Sequence, residues 1–558
     1  TTGCDNVAIG NRAMDQNIIG CYNVAMGYQP LFYNATGGSN VALGYQALYS
    51  NNVGCYNTSM GWQSLYANTS GDHNTSIGYR NLFSNTTGDN NAAIGPNALY
   101  SNTTGNDNTA IGNTALYGNT TGCYNTAIGR QALQNSLSGD GNFAAGQCAL
   151  YGNWGGCYNT AIGDGAMRSN TTGLHNTAIG KCALDYNSTG CSNNAIGNSA
   201  LSRNTTGCFN TAIGGGALQQ NTTAGCNTAI GCGALNVNTT GNNNTAIGYL
   251  SLVRNTEGSA NTGIGQTALC KNTRGNYNTA IGAYNMQNNT DGDHNHSLGY
   301  FTLYANISGC HNTGIGCGAL RNNTDGCHNT ALGQGALYDS LSGCHNFAAG
   351  QSALCSNWGG CCNTAIGAYA LENNTTGVRN NAIGYKALCS NTTGGDNLGI
   401  GFAALYKNTT GINNQAIGFS ALTNNTTGHW NNAIGCNAVY SNTTGSNNNS
   451  LGNSTLYSAT TGSNNNAIGY QSGRYLADGC TALTGPSNST YLGTCTRGYA
   501  ATDSNTTVIG YCACACGDNT VSIGNGDVTN TYINGTTTVT GNVSASGNGY
   551  FACVIAGG

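Results

Sequence analysis

One pattern of apolar and polar positions repeats along the chain every 17 residues. Aligned on the glycine that ends each Ala-Ile-Gly-like tripeptide, the pattern runs from Gly10 to Gly469 through 28 units without insertion or deletion. A typical unit, at 108–122, reads Asn-Thr-Ala-Ile-Gly-Asn-Thr-Ala-Leu-Tyr-Gly-Asn-Thr-Thr-Gly. Self-similarity at a fixed period predicts a repeat architecture in which each unit is one coil.

The residues of the unit favour short strands over helices. Each unit contains two glycines and several Asn and Thr residues, which are poor helix formers. The apolar residues do not recur with the period of 3.6 that an amphipathic helix shows. Short strands with Gly and Asn at the corners fit the pattern. Constant coil length predicts that equivalent residues stack about 4.8 Å apart. We therefore predict an all-β protein: a parallel β-solenoid, or β-roll, of 17-residue coils with a shaft about 130 Å long.

Two kinds of column, meaning equivalent positions in successive units, predict how the corners are made. One glycine column ends the Ala-Ile-Gly tripeptide, and the other follows the Asn-Thr-Thr turn, from Gly3 to Gly462 with Ala224 as the exception. We expect the glycines of both columns to supply positive φ. An Asn column runs from Asn6 to Asn465 without exception. Its amides are expected to form a ladder inside the coil, as at Asn108, Asn125, Asn159 and Asn176.

Side-chain alternation predicts that the chain associates with copies of itself. In Thr-Ala-Ile-Gly the Ala and the Ile face opposite sides of a strand, and we expect the same of Ala and Leu in a second strand of each coil. A lone solenoid has one interior, so the other apolar face would be exposed along the whole shaft. We expect a trimer, with a monomeric solenoid or another filament as the alternative.

Composition removes several classes of function. Charged residues make up 6% of the 558 residues, hydrophobic residues 39%, and the net charge is −4. There is no basic patch for nucleic acid and no apolar run of 18 residues, so we expect neither a nucleic-acid partner nor a membrane span. No catalytic constellation or phosphate-binding loop is present, and we predict no enzyme, no cofactor and no metal. The first residues are no signal peptide and start in mid-repeat, as expected of a mature chain or a piece of a longer one.

Cysteines point to an oxidising compartment. The chain has 27, an odd number, and most would stay reduced in a cytosol, so we expect an extracellular or virion-surface location. Eleven follow the second glycine column, and neighbours one coil apart would have Cα atoms within the range for a disulfide. Interchain bridges and free thiols remain alternatives. The disulfide candidates are Cys4, Cys21, Cys191, Cys208, Cys310, Cys327, Cys344 and Cys361, with Cys512, Cys514 and Cys516 as a terminal cluster.

Two further columns have competing interpretations. His294, His311, His328 and His345 form a ladder beside the cysteines, either as a metal site or, as we favour, as exposed turn residues. The Asn-Thr-Thr-Gly motif contains an N-glycosylation sequon at a turn that we expect to be exposed. In some copies Glu, Arg or Asp replaces the second Thr, which keeps the turn but removes the glycosylation sequon. The glycosylation candidates are Asn85, Asn102, Asn119, Asn170, Asn204, Asn238, Asn374, Asn391, Asn408, Asn425 and Asn442.

The end of the chain carries a family resemblance. At 507–524 two glycines, Gly510 and Gly524, lie 14 residues apart with Gly-x-x-Ala-x-Ala-x-Gly between them. This segment resembles the head repeats of trimeric autotransporter adhesins, which implies a trimeric β-roll. The stretch 532–547 is similar to end segments of phage and large-virus tail fibres. We divide the chain into a shaft at 1–470, a transition with a 14-residue repeat at 471–530, and a C-terminal β segment at 531–558.

These features predict a structural extracellular fibre that holds a tip away from a surface, with itself, N-linked glycans and an unknown surface receptor as partners. Two alternatives stay open: a binding module for ice or glycans along the shaft, and a filament of chains joined end to end.

Overall fold

The computed structural model describes residues 2–529, 531–532, 538 and 540. Their secondary structure is all β, and the part of the chain described contains no helix. The predicted C-terminal β segment at 531–558 lies almost wholly outside the described residues. Each strand has three residues and occupies the Thr-Ala-Ile position of its unit. The strands are β1 Val7–Ile9, β2 Val24–Met26, β3 Val41–Leu43, β4 Thr58–Met60, β5 Thr75–Ile77, β6 Ala92–Ile94, β7 Thr109–Ile111, β8 Thr126–Ile128, β9 Phe143–Ala145, β10 Thr160–Ile162, β11 Thr177–Ile179, β12 Asn194–Ile196, β13 Thr211–Ile213, β14 Thr228–Ile230, β15 Thr245–Ile247, β16 Thr262–Ile264, β17 Thr279–Ile281, β18 His296–Leu298, β19 Thr313–Ile315, β20 Thr330–Leu332, β21 Phe347–Ala349, β22 Thr364–Ile366, β23 Asn381–Ile383, β24 Leu398–Ile400, β25 Gln415–Ile417, β26 Asn432–Ile434, β27 Asn449–Leu451, β28 Asn466–Ile468, β29 Thr490–Leu492, β30 Thr507–Ile509 and β31 Val521–Ile523.

The 31 strands form one parallel sheet in which each strand pairs with the next along the chain. Through the shaft the register is one full unit, as where Thr109 pairs with Thr126 and Ile111 with Ile128. The predicted parallel β-solenoid of 17-residue coils is confirmed. At the spacing of stacked strands, its described length is roughly 145 Å.

The core is narrow and rich in alanine. From β2 onward the central residue of each shaft strand, such as Ala110, is buried, and so are the Ala and Leu that follow the strand glycine, as at Ala115 and Leu116. The expected second strand is wrong: the Ala-Leu-Tyr stretch is a series of turns, and its Leu has φ near +50°, as at Leu116 (51°). Ala and Leu therefore both point inward instead of to opposite faces.

Only one of the two glycine columns supplies positive φ. The strand glycines, such as Gly112 at +132°, lie in this region, where a Cβ would approach the backbone of the next coil. The glycine after Asn-Thr-Thr, such as Gly122, does not have positive φ. A Cβ there would lie 2.5 Å from Oδ1 of Asn119, so close packing selects glycine in that column.

Aromatic side chains stack from coil to coil on the outside of the Ala-Leu-Tyr turns. Six successive rings, beginning with Phe32 and ending with Tyr117, are nearly parallel, and the centroids of Tyr49 and Tyr66 are 5.1 Å apart. Offset or parallel aromatic contacts of this kind add to the stability gained by burial. The distance between ring centroids is close to the spacing between successive coils.

Candidate functional site

The invariant Asn column forms a hydrogen-bonded ladder in the interior. Asn108 is fully buried, and its Nδ2 donates to the carbonyl of Gly122 at 2.8 Å. Its Oδ1 accepts the backbone N–H of Asn125 at 3.0 Å. Asn159 and Asn176 repeat this arrangement, with the N–H of Asn176 donating to Oδ1 of Asn159 at 3.0 Å. Each amide therefore satisfies a buried corner within its own coil and one in the next.

A second amide ladder, which the sequence analysis missed, lies in the Asn-Thr-Thr column. Asn102 is fully buried; its Nδ2 donates to Oδ1 of Asn85 at 2.8 Å and to the carbonyl of Gly105 at 3.0 Å. The Thr that follows also joins the coils, since Oγ1 of Thr103 donates to the carbonyl of Thr120 at 2.9 Å.

The expectation that this column lies at an exposed turn is wrong. All of the proposed sequon residues are fully buried, and a glycan would replace one of the two Nδ2 hydrogens, remove its hydrogen bond and have no room in the coil. They are Asn85, Asn102, Asn119, Asn170, Asn204, Asn238, Asn374, Asn391, Asn408, Asn425 and Asn442. The available signal was the retention of Asn255, Asn272 and Asn289 in copies that had lost the sequon.

The two ladders meet at a single carbonyl in most coils of the shaft. The carbonyl oxygen of Gly122 accepts Nδ2 of Asn108 at 2.8 Å and Nδ2 of Asn119 at 3.0 Å. A carbonyl has two lone pairs, and both are used here. Where Ser136 or Ser340 replaces the second Asn, only the first ladder bonds to the equivalent carbonyl.

The cysteine column runs along the outer edge of the same corner. Sγ of Cys4 lies 2.9 Å from Sγ of Cys21, and this contact raises the pKa of Cys4 and lowers the pKa of Cys21. A thiolate attacks more readily than a thiol, so Cys21 is the first of the pair to become nucleophilic. Cys191 and Cys208 are also adjacent, with the N–H of Cys191 donating to Sγ of Cys208 at 3.1 Å.

Four successive coils carry the longest run of the column. The N–H groups of Cys310, Cys327 and Cys344 each donate to the next sulfur at 3.2 Å, the last being Sγ of Cys361. Because this geometry repeats, successive sulfurs of the run are spaced by one coil. The terminal cluster faces outward in part: Cys512 and Cys514 are half-buried and Cys516 is exposed, while Ala513 between them is buried.

The histidine ladder is a stack of exposed imidazoles. His294, His311, His328 and His345 have ring centroids 4.8–4.9 Å apart and nearly parallel planes. Among the residues that the structure describes, no three His, Cys, Asp or Glu side chains are grouped so that they could hold a metal ion. The arrangement thus favours exposed turn residues over a chelating site.

The outer side of the strands carries a continuous aliphatic stripe, defined by the third residue of each shaft strand. Ile111, Ile179 and Ile213 are 36–39% exposed, and Ile9 is 53% exposed. In the two Phe-Ala-Ala strands the stripe residue is Ala, and Phe143 and Phe347 fill the same face two residues earlier. Soluble monomers rarely expose an apolar surface that continues over such a length.

Neither a known protein-family model nor a curated protein matches this chain. The resemblance to adhesin heads and tail fibres therefore stays a prediction. In the described part of the chain, no helix is long and apolar enough to cross a membrane.

Proposed function

We propose that the protein is a non-catalytic, extracellular or virion-surface fibre shaft whose chains associate side by side as a trimer. The observation that carries the proposal is the parallel sheet of 31 strands, whose register does not slip over the 28 shaft strands. Because each coil bonds only to its neighbours, length can be added without altering the cross-section. The product is a rod of fixed width, suited to holding something at a distance.

The aliphatic stripe supports association along the axis. It presents aliphatic side chains at one-coil intervals for about 130 Å, a length beyond the patches of ordinary monomers. A second copy carries the same spacing, so rods in register can bury the whole stripe against one another. Three such rods around one axis would each contribute one stripe to a shared interior.

Disulfides between adjacent coils would stabilise such a shaft outside the cell. Cys4 with Cys21 is the pair whose sulfurs already lie together. The other adjacent cysteines of the column are the further candidates, in an oxidising compartment. N-linked glycans on the buried Asn-Thr-Thr column form no part of this proposal.

Electron microscopy and mass measurement test the shaft and its association. The full chain should appear as a rod of roughly 145 Å, and its mass in solution should be that of three chains. Replacing Ile162, Ile179, Ile196 and Ile213 by Glu should lower that mass towards one chain without shortening the rod. A matched control replaces the exposed Thr172, Thr189, Thr206 and Thr223 by Glu and should leave the trimer intact. A wild-type mass of one chain would refute the association, and compact particles would refute the shaft.

A further inference from the structure

A groove of about 560 Å³ lies on one side of the shaft between residues 300 and 355. Phe301 and Tyr338 contribute aromatic side chains to its lining, Gly335 also lines it, and Arg321 and Asp339 bring opposite charges. This volume is within the range of small-molecule sites. Nothing in the proposed shaft function uses the groove.

The groove exists because two successive coils lack a side chain at the same position. Gly318 and Gly335 occupy the second position after the strand glycine, where other coils carry residues such as Gln63 and Arg80. All four have positive φ, from 51° to 65°, so this backbone does not require glycine. A Cβ on Gly335 would meet only Oγ of Ser352, at 3.6 Å, in ordinary contact. Glycine at 335 therefore leaves open space, whereas a Cβ on Gly318 would lie 3.2 Å from Cε2 of Tyr338.

Two comparisons within the chain show equivalent positions where this opening is filled. Gly216 and Gly233 form a similar pair, but Asn236 donates to the carbonyl of Gly216 at 2.8 Å, and a Cβ on Gly233 would collide with Leu250. The duplicated block provides the second comparison. There, 204 residues earlier, Gln131 occupies the place of Gly335.

Arg321 lies in the groove as a cation that is held by aromatic side chains. Its guanidinium lies 4.8 Å from the ring centroid of Phe301 and 5.4 Å from that of Tyr338, and it donates to the Tyr338 hydroxyl. Within the described ranges no carboxylate forms an ion pair with it. By contrast Arg168, in the same column, pairs with Asp185 at 3.0 Å. Arg321 is thus fixed by aromatic contacts and free to receive an anion.

We propose that this groove binds a sugar that carries a carboxylate group. The guanidinium of Arg321 would receive the carboxylate through paired N–H donors. The aromatic side chains would contact the apolar face of the sugar ring. The amides of Gln334 and Gln351, both in the lining, supply donors and acceptors for hydroxyl groups. The proposal needs only the coil fold, so it stands or fails independently of the trimer.

The test is titration of the full chain with sialyllactose and with a glucuronate-containing hyaluronan hexasaccharide, followed by ligand-observed NMR and calorimetry. Lactose is the neutral partner of the first probe and should bind at least about tenfold more weakly, since it lacks the group that Arg321 would hold. Gly335→Gln, which copies the duplicated block, should abolish binding by filling the groove. Arg321→Gln should weaken binding of the acidic sugar about tenfold or more.

Gly165→Gln is the matched control. Gly165 has the same coil position and the same φ of 64° as Gly335, and its Cβ would meet only Sγ of Cys182 at 3.6 Å. This variant should bind as the wild type does. Absence of binding by both acidic probes, unchanged binding by Gly335→Gln, or equal binding of lactose would each overturn the proposal. Equal competition by propionate would overturn its sugar component.

Discussion

The shaft and the three coils that follow it both provide hydrogen-bond partners for buried backbone groups at their corners, but they do so with different side chains. In the shaft, buried corners are satisfied by neutral amides that repeat from Asn6 to Asn465. After Gly469 the coil lengthens, so that Thr490 pairs with Asn466 across 24 residues, and a 14-residue step later joins Thr507 to Val521. A ladder needs translational repetition, so it ends where coil length changes.

The coil after the enlarged one, from Thr490 to Thr507, is closed by a single carboxylate. Tyr491 replaces the shaft alanine at the centre of its strand, is fully buried, and donates its hydroxyl to Asp503 at 3.2 Å. Asp503 also accepts the N–H groups of Tyr499 and Ala500, at 2.8 and 2.6 Å. Burial, with a further contribution from Asp503, raises the pKa of Tyr491, which keeps the phenol protonated as a donor. A unique site thus replaces a repeated one.

The largest expected effect comes from removing one rung of the ladder. Asn108→Ala leaves the carbonyl of Gly122 one donor short and the N–H of Asn125 unpaired inside the coil, at a cost of about 2–5 kcal/mol. Hydrogen exchange should rise in the coils around residue 108 first. The exposed Asn113→Ala in the same unit should change neither exchange nor melting. Exchange spread evenly over the whole shaft would contradict a nearest-neighbour ladder.

Removing the Asp503 carboxylate should destabilise the coils that follow the shaft and leave the stability of the shaft unchanged. Asp503→Ala deprives Tyr491 and two backbone N–H groups of their acceptor, which we expect to cost about 2–4 kcal/mol locally. Proteolysis should then cut within 470–529 while the shaft stays protected. Tyr491→Phe removes one of the three bonds and should cost about 1 kcal/mol. Cleavage in the shaft of Asp503→Ala would show that the two regions are not separable.

The rate of thiol labelling should differ between Cys389, which is buried in the shaft, and Cys516, which is exposed beyond the shaft. Burial, and secondarily the hydrogen bond to Glu372, raise the pKa of Cys389 to about 12. Alkylation requires the thiolate, so at pH 8 in reductant Cys389 should react ~10³-fold more slowly than an ordinary thiol. The exposed Cys516 is the comparison. Comparable labelling of both, measured by peptide mass, would refute the packing around Cys389.

The smallest effect is an acid-sensitive turn beyond the shaft. Hydrogen bonds from the Thr481 hydroxyl and then from the N–H groups of Cys480 and Thr481 lower the pKa of Asp478. A carboxyl whose folded pKa is depressed contributes stability above its unfolded value, near 3.9, and loses it as pH falls through the folded value. Acid below about pH 4 should therefore loosen 478–481, by NMR, and Asp478→Asn should remove the pH dependence.

The sequence was most informative where residues repeat. The strand position, the register and the interior placement of Asn108 follow from columns that can be compared 28 times. The exposure assigned to Asn102 was wrong because Asn-Thr-Thr-Gly is also good turn chemistry, and sequence alone does not tell which way the amide points. The left-handed Leu116 could not be predicted, since its identity suits a strand. Tyr491 and Asp503 occur once, so no comparison between columns could pair them.

The direction of the amide bonds has one more consequence. In both ladders Nδ2 points towards the preceding coil and Oδ1 towards the following one, as between Asn102 and Asn85 and between Asn125 and Asn108. Aligned amide dipoles add, as peptide dipoles do along an α-helix. The two ladders are therefore polar along the axis, with their amide N–H groups towards the first coils and their amide oxygens towards the last.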